Sequence, residues 1–519
     1  MQDQVVDTNQ VLEIEAFSGP ECVKTPQPTF AKIPRAFLSQ GLPMKRFIQG
    51  EHRGQSTLLP ESLDEYISDT NPVRIVDVFV DQLDLITLGF ESAIPAETGR
   101  PAYHPADMLK IYIYGYLNRI PSSRRLEREA QRNVELMWLT GRLVPDFKTI
   151  ANFRKDNGKS IRAVCRQFVV VCQRLGLFSE HLVAIDGSKF KAVNHRDRNF
   201  TSAKLKRRME EVESSINRYM VALDTADKEE PKPSSPKKGG LQEKITKLKA
   251  EMKKLQVIEV QLEESPDKQV SLTDPDSRSM MTRGNGIVGY NVQTAVDTKH
   301  HLIVAHEVTN VGHDRDQLSL MALQAREAMK LKSLSVVADR GYYKNLEILA
   351  CHKAEISAYV PKTLSSRAKF HGRFNNDAFI YDADKNVYIC PAKEELTWRS
   401  FYVEKGKKLN SYWASNCRTC PIKAQCTPAK ERKVRRWEHE VVLEQMQARL
   451  DSAPQMMIVR KRTVEHPFGT LKQWMGATHF LTRRLAGVST EMSLNVLAYN
   501  LKRVMRILGT QNLMKALAG

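Results

Sequence analysis

No apolar run in this sequence approaches the roughly 18 residues that a membrane-spanning helix needs, so nothing in it is expected to cross a bilayer. Residues 1–7 lack the basic-then-apolar layout of a secretory signal, which makes the cytoplasm the expected location. Thiols stay reduced there, and the 8 cysteines are not expected to form structural disulfides. No G-x-x-x-x-G-K-[ST] loop occurs, which argues against a nucleotide-binding α/β enzyme. Acid is in deficit: 60 Asp+Glu stand against 79 Lys+Arg, a formal net charge of +19. Such an excess favours a polyanionic partner, because each phosphate contact releases counterions from nucleic acid. A merely basic protein carries the same charge, so charge alone names no chemistry.

Two stretches carry the chemistry. Val183-Ala-Ile-Asp-Gly-Ser-Lys-Phe190 reads as a short buried strand stopped by Asp186-Gly187, with a carboxylate at its C-terminal end. Leu334-Ser-Val-Val-Ala-Asp339-Arg-Gly repeats the pattern. Asp-Gly is a common turn, and either aspartate alone has that plain reading. Together they predict two carboxylates that meet at one sheet edge and share a metal. A third element, Val464-Glu465-His-Pro-Phe-Gly-Thr-Leu-Lys472, follows the basic run Arg460-Lys461-Arg462. Glu465 and Lys472 are seven residues apart, about two turns of a continuous helix, and there they share a face. Pro467 and Gly469 disfavour a straight helix between them, and Glu438, Glu440 and Glu444 stay open as rivals for the third carboxylate.

Two strand-end aspartates followed by a glutamate with a lysine seven residues on resemble the DDE transposases of bacterial insertion sequences. Ala338-Asp-Arg-Gly-Tyr342, Val464-Glu-His-Pro-Phe-Gly469 and Leu497-Ala-Tyr-Asn-Leu-Lys502 extend the resemblance over roughly residues 44–510. Relatives often place a tyrosine and an arginine before the glutamate, where this chain has Ile458 and Lys461. The resemblance implies a mixed α/β chain with an RNase H-like sheet flanked by helices. It implies a DNA transposase that binds the inverted repeats of its element, cleaves the ends by metal-dependent hydrolysis and joins the 3′-hydroxyl to target DNA. Asp186, Asp339 and Glu465 then hold two Mg2+ (or Mn2+) ions, with Lys472 and Arg460, Lys461 and Arg462 on phosphates. Implied partners are double-stranded DNA and a second copy of the chain, in a bacterial cytoplasm beside the nucleoid. The rivals are an RNase H-like nuclease without strand transfer and an inactive DNA-binding repressor.

Along the 519 residues, 1–43 read as a disordered extension, with 44–51 resembling the usual family start. Residues 44–178 read as an all-helical DNA-binding domain that closes on a basic helix, with Lys148, Thr149, Asn152, Arg154 and Lys155 facing DNA; a plain bundle with solvated charges is the alternative. Residues 179–510 form the expected catalytic domain, and 511–519 a tail. Lys189 and Lys191 follow the first carboxylate as further DNA contacts. Two interruptions are expected. One is a helical hairpin at 201–265, whose Pro- and Gly-rich tip cannot stay helical. The other is a Cys-rich insertion at 366–432, carrying Cys390, Cys417, Cys420 and Cys426. Thiolates suit tetrahedral zinc, and a small module with little core gains folding energy from it, so a zinc-ribbon-like site is expected against four unliganded thiols. Asp274 and Asp276 read as turn formers.

Overall fold

The computed structural model describes residues 62–95, 101–179, 181–228, 238–282, 284–363 and 371–518. The expected extension over 1–43, the family-like start at 44–51 and most of the hairpin tip lie outside them. Helices come first: α1 (Val73–Asp81), α2 (Pro105–Leu117), α3 (Ser123–Ala130), α4 (Val134–Thr140), α5 (Phe147–Asp156) and α6 (Gly158–Arg174). Local chemistry sets their ends. Asn71 caps the start of α1 through Val73 N, Pro105 opens α2, and Asp146 accepts the first amides of α5. Gly141, at φ +58°, ends α4 in the left-handed region. These helices do not form a core of their own. Phe79, Tyr112 and Phe168 share one hydrophobic core with Phe190 and Tyr290 of the sheet and Tyr499 near the C-terminus.

The sheet begins with β1 (Leu182–Lys191). Next come β2 (Asn199–Thr201), α7 (Ser202–Lys228), α8 (Lys238–Glu264), β3 (Gln269–Ser271), β4 (Arg278–Thr282), β5 (Asn285–Asp297), β6 (Ile303–Thr309), α9 (Leu318–Met329), β7 (Leu334–Ala338), α10 (Asn345–Lys353) and β8 (Ile356–Tyr359). Pairing runs β6-β5-β1-β7-β8, with β4 beside the start of β5. β5 pairs antiparallel with both β1 and β6, and β7 and β8 continue parallel to β1. That is the expected RNase H-like order. One expectation fails: β1 does not stop at Asp186-Gly187. The ladder with β5 runs on through Asp186↔Thr294 and Gly187↔Gln293 to Lys191↔Gly289. A long partner strand supplies the hydrogen bonds that a turn was expected to supply. β2 and β3 pair at the base of the helical hairpin, and α7 and α8 zip through Leu205, Val212, Leu255, Ile258 and Leu262.

The insertion is a second sheet of β9 (Ile380–Asp382), β10 (Val387–Ile389), β11 (Glu395–Glu404), β12 (Lys407–Trp413) and β13 (Val434–Trp437), with the one-turn α11 (Lys423–Cys426) before its last strand. It reaches Trp437, five residues past the expected boundary, because β13 pairs back onto β12. Then follow α12 (Glu440–Ser452), α13 (Met456–Gly469), α14 (Arg484–Leu508) and α15 (Thr510–Ala518). The expected tail is thus a helix, with Leu513 and Leu517 buried in the main core. α14 packs on the sheet edge: the Asn500 side chain both accepts from Ile303 N and donates to Ile303 O, pairing the backbone of edge strand β6. Asp274 and Asp276 do more than make a turn. They accept Arg484 N at 2.9 Å and Leu485 N at 2.8 Å, neutralising the positive end of α14. Among the described residues no helix is long and apolar enough to cross a membrane.

Candidate active site

Parallel pairing of β1 with β7 ends at Ile185↔Ala338. The next residue in each strand is Asp186 and Asp339, so the register sets the two carboxylates side by side. Asp339 also starts a short turn, Arg340–Tyr342, by accepting Gly341 N at 2.7 Å. Across both carboxylates lies α13. Its Val464 packs on Ala184 and Val337, and one turn earlier Arg460 points to the same face. Arg460 Nη2 stands 2.7 Å from Asp186 Oδ1 and 3.5 Å from Asp339 Oδ2. Burial pushes the Asp186 carboxyl up to about 6; Arg460 opposes the shift, while Asp339 and Asp314 add to it.

Asp314 is a carboxylate that the sequence reading missed. It lies before α9, 3.4 Å from Lys189 Nζ, and accepts the Asn291 and Gln293 amides at 2.8 and 2.7 Å. The available signal was Gly187 within a strand pattern, which marks a close approach. A Cβ at 187 stands 2.6 Å from Asp314 Oδ1.

The remaining predicted residues divide. Glu465 is exposed on α13, and its side chain makes no hydrogen bond or ion pair among the described residues. Its rival Glu444 is bound to Arg436, and Glu440, raised by burial, starts α12; Glu438 lies 3.9 Å from His439. Pro467 does not break α13. The helix passes through it and widens into a π turn at Thr470–Trp474, closed by Met475 N on Thr470 O at 2.9 Å. This turn carries Lys472 to β1, where its Nζ donates to Ser188 Oγ at 2.6 Å and Lys189 O at 2.9 Å. Arg460 sits on the aspartates, not in the open, while Lys461 and Arg462 are exposed. Lys189 is turned onto Asp314; Lys191 is exposed.

On α5, Lys148, Asn152 and Lys155 are exposed at helical spacing, and Thr149 is tied to Asp146. Arg154 does not face outward. It is buried, donating to the Tyr116 hydroxyl at 3.1 Å above the Tyr112 ring, because the helix turns it inward with Ile150 and Phe153.

Cys390, Cys417, Cys420 and Cys426 line one cavity of about 290 Å³ and are free thiols. Burial pushes the Cys426 thiol up, Arg432 opposes this, and the other three cysteines reinforce it. Among the described residues, no three His, Cys, Asp or Glu side chains are grouped to hold a metal ion. The cysteines converge without closing a metal site, and the main site presents an aspartate pair without its third member.

Two stretches of the chain match known family models: residues 61–156 match a transposase domain (DUF772), and residues 389–505 match a transposase DDE domain. Both stretches are thus similar to transposase domains, the second to a DDE domain. The second match contains Glu465 and Lys472 and begins after Asp186 and Asp339. No curated protein matches the chain. Among solved structures it is similar to a piggyBac transposase synaptic complex with hairpin DNA, at 10% identity and a TM-score of 0.30, over 86% of this chain and 79% of that one.

Proposed function

We propose that this protein is a transposase that binds the terminal inverted repeats of its element, hydrolyses the phosphodiester at each end and joins the freed 3′-hydroxyl to target DNA. The observation that carries the reading is the juxtaposition of Asp186 and Asp339 under one cation, the Arg460 guanidinium. Two carboxylates that already share a positive partner, one of them desolvated, are a donor set suited to hard divalent cations. Asp186 would be the shared ligand, with Asp339 and Glu465 completing the places for two Mg2+ or Mn2+ ions. Such ions, when bound, activate the attacking oxygen and stabilise the leaving oxygen of an in-line displacement.

The chain's own residues do the rest. With the carboxylates committed to cations, Arg460 turns to a phosphate oxygen, and Lys472, held at Ser188, fixes the strand that bears Asp186. In the first step a water oxygen bonds to phosphorus and the 3′-oxygen leaves as a hydroxyl. In the second that hydroxyl attacks a target phosphate, and a target 3′-oxygen leaves. Positioning and charge neutralisation carry both steps. The exposed face of Lys148, Asn152 and Lys155, with Lys191, Lys461 and Arg462, would hold the duplex backbone. A homodimer on DNA supplies two active sites for two ends. Structural zinc at Cys390, Cys417, Cys420 and Cys426 belongs to the proposal; metal analysis of purified protein finding under half a zinc per chain removes it.

The test uses DNA from the gene's own flanks with any inverted repeats found there, incubated in Mg2+ or EDTA. Metal-dependent cutting at the repeat boundary with joined products supports the reading. Cutting without joining makes the protein a nuclease, and binding without cutting in any divalent metal makes it a repressor.

A further inference from the structure

Beneath Asp186 the sheet is polar. Asn291, Gln293 and Thr294 on β5 are fully buried. Two of their amides converge on Asp314 Oδ1, which accepts Gln293 Nε2 at 2.7 Å and Asn291 Nδ2 at 2.8 Å. The far end of Gln293, Oε1, accepts the hydroxyl of Tyr342, itself fully buried. Tyr342 closes the turn that Asp339 begins. Lys189 Nζ lies 3.4 Å from both oxygens of Asp314. A continuous path thus runs from Lys189, on the strand of Asp186, through Asp314, Gln293 and Tyr342 to the turn of Asp339. The glycines make room for it: a Cβ at 187 meets Asp314 Oδ1 at 2.6 Å, and one at 341 meets Asp339 Oδ1 at 2.9 Å.

The chemistry of this path is directional. A carboxylate only accepts, so Gln293 must present its N–H to Asp314 and its carbonyl to Tyr342. Asparagine at 314 accepts or donates, and leaves Gln293 free to turn over. The half-buried Asp314 carboxylate thereby fixes one orientation of the buried amide.

We propose that Asp314 is a positioning residue of the transfer site. It sets Gln293 and, through Tyr342, holds the Asp339 turn against β1 so that Asp186 and Asp339 bind divalent cations together. The inference rests on the reading of those two aspartates as the metal-binding pair.

The test measures Mn2+ affinity of the full chain from the electron paramagnetic resonance signal of free Mn2+, beside single-turnover cleavage of element-end DNA. It compares wild type, Asp314→Asn, Tyr342→Phe and Asp186→Asn. Asp314→Asn and Tyr342→Phe are each expected to weaken Mn2+ binding about 10- to 100-fold. Cleavage should return toward wild type at saturating Mn2+, with DNA affinity unchanged. Mn2+ binding that depends on Asp186 but is unaffected in both variants overturns the proposal. If Asp314→Asn fails to fold, Tyr342→Phe decides alone. Wild type binding no Mn2+, or Asp186→Asn binding it equally, overturns the reading of the pair and this proposal with it.

Discussion

Asp186 and Asp339 stand one residue beyond the last paired positions of two parallel strands, and one guanidinium, that of Arg460, reaches both. Arg460 therefore competes with any divalent cation for the same oxygens. Replacing it by glutamine leaves two facing carboxylates without a counter-charge. Arg460→Gln should melt below wild type without metal and gain more thermal stability from Mn2+ than wild type gains. Equal shifts in both proteins in a calorimetric melt would show that the arginine and the metal do not share a place.

The α5 face separates binding from stability. Lys148→Ala with Lys155→Ala should lower the slope of log affinity against log salt by about 2 and leave the melting temperature unchanged. Arg154→Ala should do the reverse, because it strips a buried partner from the Tyr116 hydroxyl. A salt titration of DNA binding and a melt on each variant check this.

The buried Asp274 accepts two bonds, from the Tyr290 hydroxyl at 2.8 Å and from Arg484 N at 2.9 Å. Asp274→Ala leaves both donors unpaired and uncaps α14, costing on the order of 2–3 kcal/mol. Urea denaturation reads the loss; a midpoint within error of wild type would mean that water or Asp276 replaces the cap.

Burial, with Arg166 and Arg162 adding to it, pushes the His306 imidazole down to about 4. The unfolded chain binds that proton near pH 6.5. Stability from this group is therefore complete above about 6.5 and is lost as pH falls towards 4. Wild type should lose more of its urea midpoint between pH 7 and pH 5 than His306→Gln does; parallel losses would assign the slope elsewhere.

The two aspartates were legible because β1 and β7 are short apolar runs that each meet an aspartate, and that pattern is local. What surrounds them was not. Whether β1 stops at Gly187 depends on a partner strand roughly a hundred residues away, and Asp314 sits in a loop with no period to betray it. Arg460 read as a phosphate contact because a basic run shows charge but not facing; its place above the aspartates follows from Val464 docking one turn later. For Arg154 the signal was present, since Ile150 and Phe153 at helical spacing mark the inward face, but charge outweighed spacing in the sequence reading. The insertion's cysteines were legible as a cluster, while its sheet depends on β13 returning past the last of them.

Asp186 and Asp339, with Glu465, are proposed to hold the metal that drives DNA transfer. Single-turnover cleavage of element-end DNA, with DNA affinity measured in parallel, tests it on Asp186→Asn, Asp339→Asn and Glu465→Gln. Each variant should bind DNA within about twofold of wild type and cleave at least about a thousandfold more slowly, since a neutral amide oxygen loses the charge with which a carboxylate holds a hard cation. Near-wild-type cleavage by Asp186→Asn or Asp339→Asn would contradict the account, and by Glu465→Gln alone would move the third ligand elsewhere.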